Sequence, residues 1–298
     1  MHDFDFLQPA SVAEASRLLT ELGDDCRVIA GGTALVLGLR QRMLAPTHLI
    51  SLAGIDALHG LDFDPVHGLR IGALVRHAQL AASPLVQRHY PVLASMAQRM
   101  ANPQVRNQGT LGGNLCYADP STDPPCCLMA LGARIVLASA SSERVMDIED
   151  FLVDYYTTAL EADEIVSEIR VPPMGQGAAV RHGVYTRFLR TAAEHRPLAS
   201  VALVARTSGG ICHDARLAVG ASTPIPLRLR RAEAFLEGRA ITWAVAAEAG
   251  DIVAQDITPV SDMRGSADFR RAMVRVNARR TVAELFGLDM TMEPGETA

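Results

Sequence analysis

One stretch constrains this chain more than any other: Arg106-Asn107-Gln108-Gly109-Thr110-Leu111-Gly112-Gly113-Asn114, running on through Ala118-Asp119-Pro120 to Asp123. It places three glycines within five residues, with small hydroxyl and amide side chains around them. Glycine reaches positive φ without a Cβ penalty, so such a backbone can turn successive N–H groups inward. Inward N–H groups form a nest suited to an anion such as a diphosphate. A second stretch of the same character, Ile29-Ala30-Gly31-Gly32-Thr33-Ala34-Leu35, lies about 80 residues upstream. Two nests of this kind suit one long ligand with a charged middle.

The alternatives are narrowed by what accompanies these glycines. The G-x-G-x-x-G fingerprint of a dinucleotide-binding strand-to-helix turn is missing. All 28 basic residues are arginine, which removes both lysine Schiff-base chemistry and the lysine-dependent phosphate loop. A formal net charge of −5 leaves no electrostatic footprint for nucleic acid. Five cysteines, Cys26, Cys116, Cys126, Cys127 and Cys212, contain no C-x-x-C pair and read as ordinary reduced thiols. They cannot supply the four placed thiolates of an iron–sulfur cluster within this chain. The nine histidines show no paired ligand spacing, so no metal site is expected. Neither a basic, then apolar leader nor an apolar run approaching the ~18 residues of a membrane span is present, which reads as cytoplasmic.

Local patterns predict the elements that hold the two stretches. Ser11 and Glu14 form a capping box for a helix closed by Gly23, and Val12, Ala15, Leu18, Leu19 and Leu22 mark its apolar face. A strand over Arg27–Ala30, the glycine turn, a helix over Ala34–Arg42 and a strand over His48–Leu52 make one β-turn-α-β unit. Leu61–Phe63 and Leu69–Ala73 read as a hairpin, Arg76–Ala82 as a short helix, and Pro84 to Met100 as one longer helix. A helix over Cys127–Leu131 and strands over Ala133–Ser139, Val145–Ile148 and Glu164–Val171 follow. Met174-Gly175-Gln176-Gly177-Ala178 is the linker candidate. Beyond it, three antiparallel strands (Gly183–Leu189, Leu198–Thr207, His213–Gly220) precede three helices (Leu229–Leu236, Thr242–Gln255, Ala267–Phe286). The last helix carries Phe269, Met273, Val276, Val282 and Leu285 among many arginines, and these arginines, like those of Leu227–Arg231, read as solvated or partner-facing. His77 reads as structural at a helix start or, less readily, as approaching the ligand, and Tyr117 as a core residue or a stacking partner.

Both glycine stretches resemble the flavin signatures of one family, the medium, FAD-binding subunits of the molybdenum hydroxylases. The resemblance extends to Phe4-Asp5-Phe6 with Pro9, Ile71-Gly72-Ala73, Ala118-Asp119-Pro120 with Asp123, Glu164-Ile165 and Phe188 to Pro197, nearly the whole chain. It implies an α+β fold: a two-lobed FAD-binding domain of the p-cresol methylhydroxylase/vanillyl-alcohol oxidase type over residues 1–176, with lobes at about 1–55 and 56–176. A small C-terminal α+β domain, a three-stranded antiparallel sheet with helices, would occupy 177–298.

The resemblance also implies that Ile29 to Leu35 and the run Asn107, Gly109, Thr110, Leu111, Gly112, Gly113 and Asn114 wrap FAD. Asp123 would accept a ligand hydrogen bond, and Leu160 would pack near the flavin or adenine. Many relatives carry an acidic or hydroxyl residue where Ala34 stands, and some place a lysine in the region of Arg187–Arg190, where this chain offers only arginine. No catalytic side chain is expected here. Partners would be a large molybdopterin-binding subunit and a small subunit with two [2Fe-2S] clusters, in a dimer of heterotrimers, with an external electron acceptor. The competing reading is a self-contained flavin oxidase that binds its own substrate; about 120 residues after the linker leave little room for its capping domain.

Overall fold

Ser11 begins the first helix as expected: its Oγ accepts from the Glu14 N–H at 3.2 Å. The Glu14 carboxylate reaches one residue further back than a capping box requires, to the Ala10 N–H at 2.8 Å. The helix runs Val12–Leu22 and stops at Gly23, which takes φ +53°. These features come from a computed structural model that describes residues 3–175, 179–191 and 193–293. Part of the linker candidate, residues 176–178, lies outside the described residues.

The chain forms two compact units, each assembled from separated segments. One comprises Met1–Ser83, Ala101–Asp119 and Ala133–Pro173. The other comprises Pro84–Met100, Pro120–Gly132 and Met174–Ala298.

The first unit contains a parallel sheet of β1 (Asp5–Leu7), β2 (Cys26–Ile29) and β3 (His48–Ser51), in the order β1-β3-β2. Its core joins Ile50 and Cys26 of the sheet to Ala15 of the first helix and to Leu52, Ile55, Leu58, Leu74 and Ile165. A five-stranded antiparallel sheet follows the order β4-β5-β10-β6-β7. Its strands are β4 (Leu61–Asp64), β5 (Gly68–Gly72), β6 (Arg134–Ala138), β7 (Glu143–Asp147) and β10 (Ile165–Val171). A small hairpin, β8 (Leu152–Asp154) with β9 (Thr157–Thr158), lies between β7 and β10 in sequence. It is not legible as strands, because two or three residues cannot show an alternation.

The second unit is organised on β11 (Arg181–Phe188), β12 (Ala199–Ser208) and β13 (Ile211–Gly220). A fourth strand, β14 (Leu227–Arg228), pairs with β13, so the expected three-stranded sheet has four. β14 is only two residues long, and Arg228 reads as surface until its ion pair with Glu233 at 2.8 Å is seen. β12 is buried on both faces. Ala199, Val201, Leu203 and Ala205 enter the core formed with the three C-terminal helices. The intervening positions meet mid-chain helices: Val204 lies near Gly183 and Val92, and Ser200 near Gly220 and Cys126. That two-sided burial explains why β12 reads as a continuous apolar run rather than an alternation.

Two helix expectations need correction. The single helix from Pro84 to Met100 is two helices, Pro84–His89 and Pro91–Arg99. Pro91 lacks an N–H and disfavours helical backbone at the residue before it, and Tyr90 sits at φ −138°, ψ 59°. In the last helix, Ala267–Leu285, the buried residues are Arg270, Val274, Asn277, Ala278, Thr281, Val282 and Ala283, whereas Phe269 is exposed. The arginines are therefore not all solvated. Arg270 is 3% exposed and donates to the carbonyls of Leu198 (3.3 Å) and Ala221 (2.9 Å) and to Asp262 (2.7 Å).

Candidate cofactor cradle

The two glycine stretches meet within the first unit. A Cβ on Gly31 would lie 2.1 Å from the Gln108 carbonyl oxygen and 2.9 Å from the Gly109 Cα. Both neighbours are backbone, so only glycine permits this approach. Gln108 was not singled out from sequence; the glycine opposite its carbonyl was the available signal.

The first stretch is an open turn between β2 and the helix Leu35–Arg40. Gly32 takes φ +69°, as a nest requires. Among the described residues, the N–H groups of Gly31, Gly32, Thr33, Ala34 and Leu35 donate to no protein acceptor. They are half-buried or exposed. Five consecutive donors without acceptors form a ready anion cradle.

The second stretch behaves differently, and the positive-φ reading of its glycines is overturned. Gly109, Gly112 and Gly113 are absent from the left-handed region. The segment is helical on both sides: Pro103–Gln108 is one helix, capped by Asn102, and Leu111–Tyr117 is another, capped by Thr110. Its N–H groups are engaged by protein. Gly109 donates to the Val105 carbonyl at 2.7 Å, Leu111 to Val75 at 2.9 Å and Gly112 to Ala73 at 2.9 Å. Gly113 donates to Thr110 Oγ1 at 3.2 Å, and Asn114 to the Thr110 carbonyl at 3.0 Å.

Glycine serves here for close approach instead. A Cβ on Gly112 would come within 2.6 Å of the Ala73 Cβ, and one on Gly113 within 2.8 Å of Thr110 Oγ1. The backbone partners Ala73 and Val75 carry no sequence signal of this role beyond the Ile71-Gly72-Ala73 run that is part of the resemblance.

His77 stands behind this second stretch. Its N–H donates to the Gly109 carbonyl at 3.2 Å, and its ring lies 3.2–3.3 Å from the position a Gly109 Cβ would take. The residue is 2% exposed and Nδ1 has no partner, so burial lowers its pKa to about 4 and keeps it neutral. Tyr117 is exposed, not core, and makes an edge contact with Tyr156 at 5.2 Å.

Asp123 belongs to the second unit. Its Oδ1 accepts from the Tyr185 hydroxyl at 2.8 Å and from Arg187 at 3.3 Å. Burial raises its pKa, opposed by Arg187 and by the Tyr185 hydrogen bond. Arg187 also donates to the Arg99 carbonyl, and Arg99 to the Tyr185 carbonyl at 2.7 Å. Leu160 lies in the first unit, half-buried, in the turn before β10. Among the described residues no group of three or more His, Cys, Asp or Glu side chains could hold a metal ion, and no helix is long and apolar enough to cross a membrane.

An adjacent row of unpaired N–H donors, closed by a glycine that admits no side chain, suits the diphosphate of a dinucleotide. Comparison with known proteins identifies the family. Residues 2–174 match the FAD binding domain in molybdopterin dehydrogenase, and residues 184–285 match the CO dehydrogenase flavoprotein C-terminal domain. The nicotine 6-hydroxylase medium subunit of Paenarthrobacter nicotinovorans is 33% identical, over 94% of this chain and 96% of its own length. The carbon monoxide dehydrogenase medium chain of Hydrogenophaga pseudoflava is 34% identical, over 94% of this chain and 96% of its own. A solved carbon monoxide dehydrogenase from that organism, lacking the Mo-pyranopterin moiety, superposes with a TM-score of 0.91 at 34% identity, covering 96% of this chain and 98% of that one. The chain therefore belongs to the FAD-binding medium-subunit family of the molybdenum hydroxylases.

Proposed function

We propose that this chain is the electron-transferring FAD subunit of a molybdenum hydroxylase complex. In that complex a large molybdopterin-binding subunit oxidises an aromatic heterocycle or a related carbon centre. A small subunit with two [2Fe-2S] clusters hands electrons to this chain, which delivers them to an external acceptor. The assembly is a dimer of heterotrimers in the cytoplasm, and the boundary between the FAD-binding and C-terminal domains falls at 176/177. Family matches that end at 174 and resume at 184 support that boundary. Relatives that are themselves medium subunits, matched over almost their entire length, favour this reading over a self-contained oxidase.

One observation carries the cofactor assignment: the five unpaired N–H groups from Gly31 to Leu35, packed beside the Gln108–Gly109 backbone. In this reading they hold the diphosphate, while Ile29 and Ala30 lead into the turn. Thr33, Asn107 and Asn114 add side-chain contacts, and the Thr110 hydroxyl keeps its proton for a ligand while its oxygen caps Gly113. Gly109, Leu111, Gly112 and Gly113 supply the wall. Asp123 accepts from a ligand hydroxyl or amine through Oδ2, and Leu160 packs against the ring system. Bound FAD supplies redox chemistry that can accept and release electrons singly or in pairs; the chain's residues bind it, orient it and limit its exposure.

The test is purification of the full chain with and without its partners. The expected result is a yellow protein that releases FAD on acid precipitation, with molybdenum and iron recovered only when partners co-purify. A colourless chain that cannot be reconstituted with FAD would remove the cofactor assignment. Turnover of a small organic substrate by the chain alone would favour the oxidase reading.

A further inference from the structure

The connection from β9 to β10 is a surface turn, residues 159–164, held at both ends by hydrogen bonds. The Ala159 N–H donates to the Phe151 carbonyl at 2.9 Å, and the Glu164 N–H to the Glu161 carbonyl at 3.1 Å. The Glu164 carboxylate turns back to accept from the Glu161 N–H at 2.8 Å. Arg144, on β7, donates to both oxygens of that carboxylate, Nε to Oε1 at 2.6 Å and Nη2 to Oε2 at 2.7 Å. The same Nη2 donates to the Ala159 carbonyl at 2.7 Å. One guanidinium therefore fastens the two ends of the turn to each other and to the sheet. Its planar fork is suited to such bidentate work. Glu164 is held ionised below the usual carboxylate range, chiefly by Arg144.

The segment before the turn is fastened to the second glycine stretch. The Tyr156 N–H donates to the carbonyl of Ala118, the residue that ends the Leu111–Tyr117 helix, at 3.0 Å. Both residues are left-handed, at φ +54° and +47°. Neither is glycine, so these conformations persist only because their surroundings impose them. Leu160 thus sits on a turn anchored to the cradle helix on one side and to β7 on the other.

We propose that Arg144 and Glu164 are positioning residues for the cofactor, holding the Leu160 turn in the shape that meets the flavin. The proposal rests on the reading of Leu160 as a flavin contact. The guanidinium is 40% exposed but the carboxylate only 6%, so either substitution can also lower folding stability. A positioning role is separated from a merely structural one by the flavin potential and by non-additive losses of FAD affinity.

The test measures FAD affinity, the flavin midpoint potential and the apoprotein melting temperature on the full chain. The variants are Arg144→Met, Leu160→Ala and their combination, with Glu164→Gln serving if Arg144→Met does not fold. Each single change is expected to weaken FAD binding about tenfold, the scale of coupling between contacting groups, and to shift the potential, whatever fall in apoprotein melting temperature accompanies the Arg144 or Glu164 change. The double variant should bind no more weakly than the worse single one. Additive losses, a melting temperature that falls while affinity holds, or a Leu160→Ala variant that binds as the parent does would each overturn the proposal. Absence of FAD binding by the parent chain would overturn the cofactor assignment and this proposal together.

Discussion

The two glycine stretches look alike as sequence and do different physical work. Around Gly31–Gly32 the backbone leaves five donors without protein acceptors, and one glycine, Gly32, adopts a left-handed φ of +69°. Around Gly109–Gly113 the donors are engaged by Val105, Val75, Ala73 and Thr110. There glycine lets two backbones approach, as at Gly112 against Ala73. The first stretch offers the donors that the proposed cofactor would take, and the second is the frame that packs against it. A glycine-rich motif is therefore not by itself a nest; the fate of each N–H decides.

The largest effect is expected where the two stretches touch. Gly31→Val drives a side chain into the Gln108 carbonyl, whose oxygen lies 2.1 Å from the Cβ position. The open turn can move off this clash in the apoprotein, so the overpacking of about 3 kcal/mol is met only when FAD draws the turn back, about a hundredfold in affinity, and FAD should be lost on gel filtration. Gly112→Val should remove FAD too, but with a fall in apoprotein stability, because its clash with Ala73 lies inside the frame. Equal stability losses in the two variants would erase the distinction between them.

Acid should act on the frame. His77 is neutral when folded, with its pKa lowered to about 4, whereas the unfolded chain protonates it near its ordinary value of 6.5. Below that ordinary value the unfolded state binds more protons, so this contribution to stability declines as pH falls from about 6.5 to 4, by about 3 kcal/mol in all. Urea midpoints across that range would show it, and His77→Gln should flatten the decline.

A smaller change separates conformation from contact. Gly32→Ala meets only the flexible side chains of Ile29 and Val36, at 3.2 and 3.3 Å, but must hold φ +69°. That strain of about 1–2 kcal/mol should weaken FAD roughly tenfold, and Gly32→Asn should recover part of the loss. The smallest effect belongs to Thr110→Val, which removes the cap on Gly113 and should lower stability by about 1 kcal/mol. Differential scanning calorimetry checks it.

Much of this architecture was legible. Ser11, the β2 run and the hairpin around residues 65–68 carry local signals, namely a cap, β-branched residues and turn formers, and all three elements formed. The position of the first stretch between a strand and a helix followed from the same signals, whereas the helices Pro103–Gln108 and Leu111–Tyr117 around the second did not, their glycines reading as a turn. What escaped depended on distant partners. Arg270 reads as surface until Leu198, Ala221 and Asp262 surround it, and β14 exists only through β13. Gly112 cannot announce that Ala73 will lie against it. Pro91 is the exception, a local breaker passed over within a helical pattern.

Residue-resolved amide exchange of the full-length apoprotein, followed by FAD addition, tests the central contrast most directly. The amides of Leu111, Gly112 and Asn114 should be protected before FAD is added and change little afterwards. Those of Gly31 to Leu35 should exchange freely and become protected on binding. Protection arising first at Gly112–Asn114, with Gly31–Leu35 unchanged, would contradict the account.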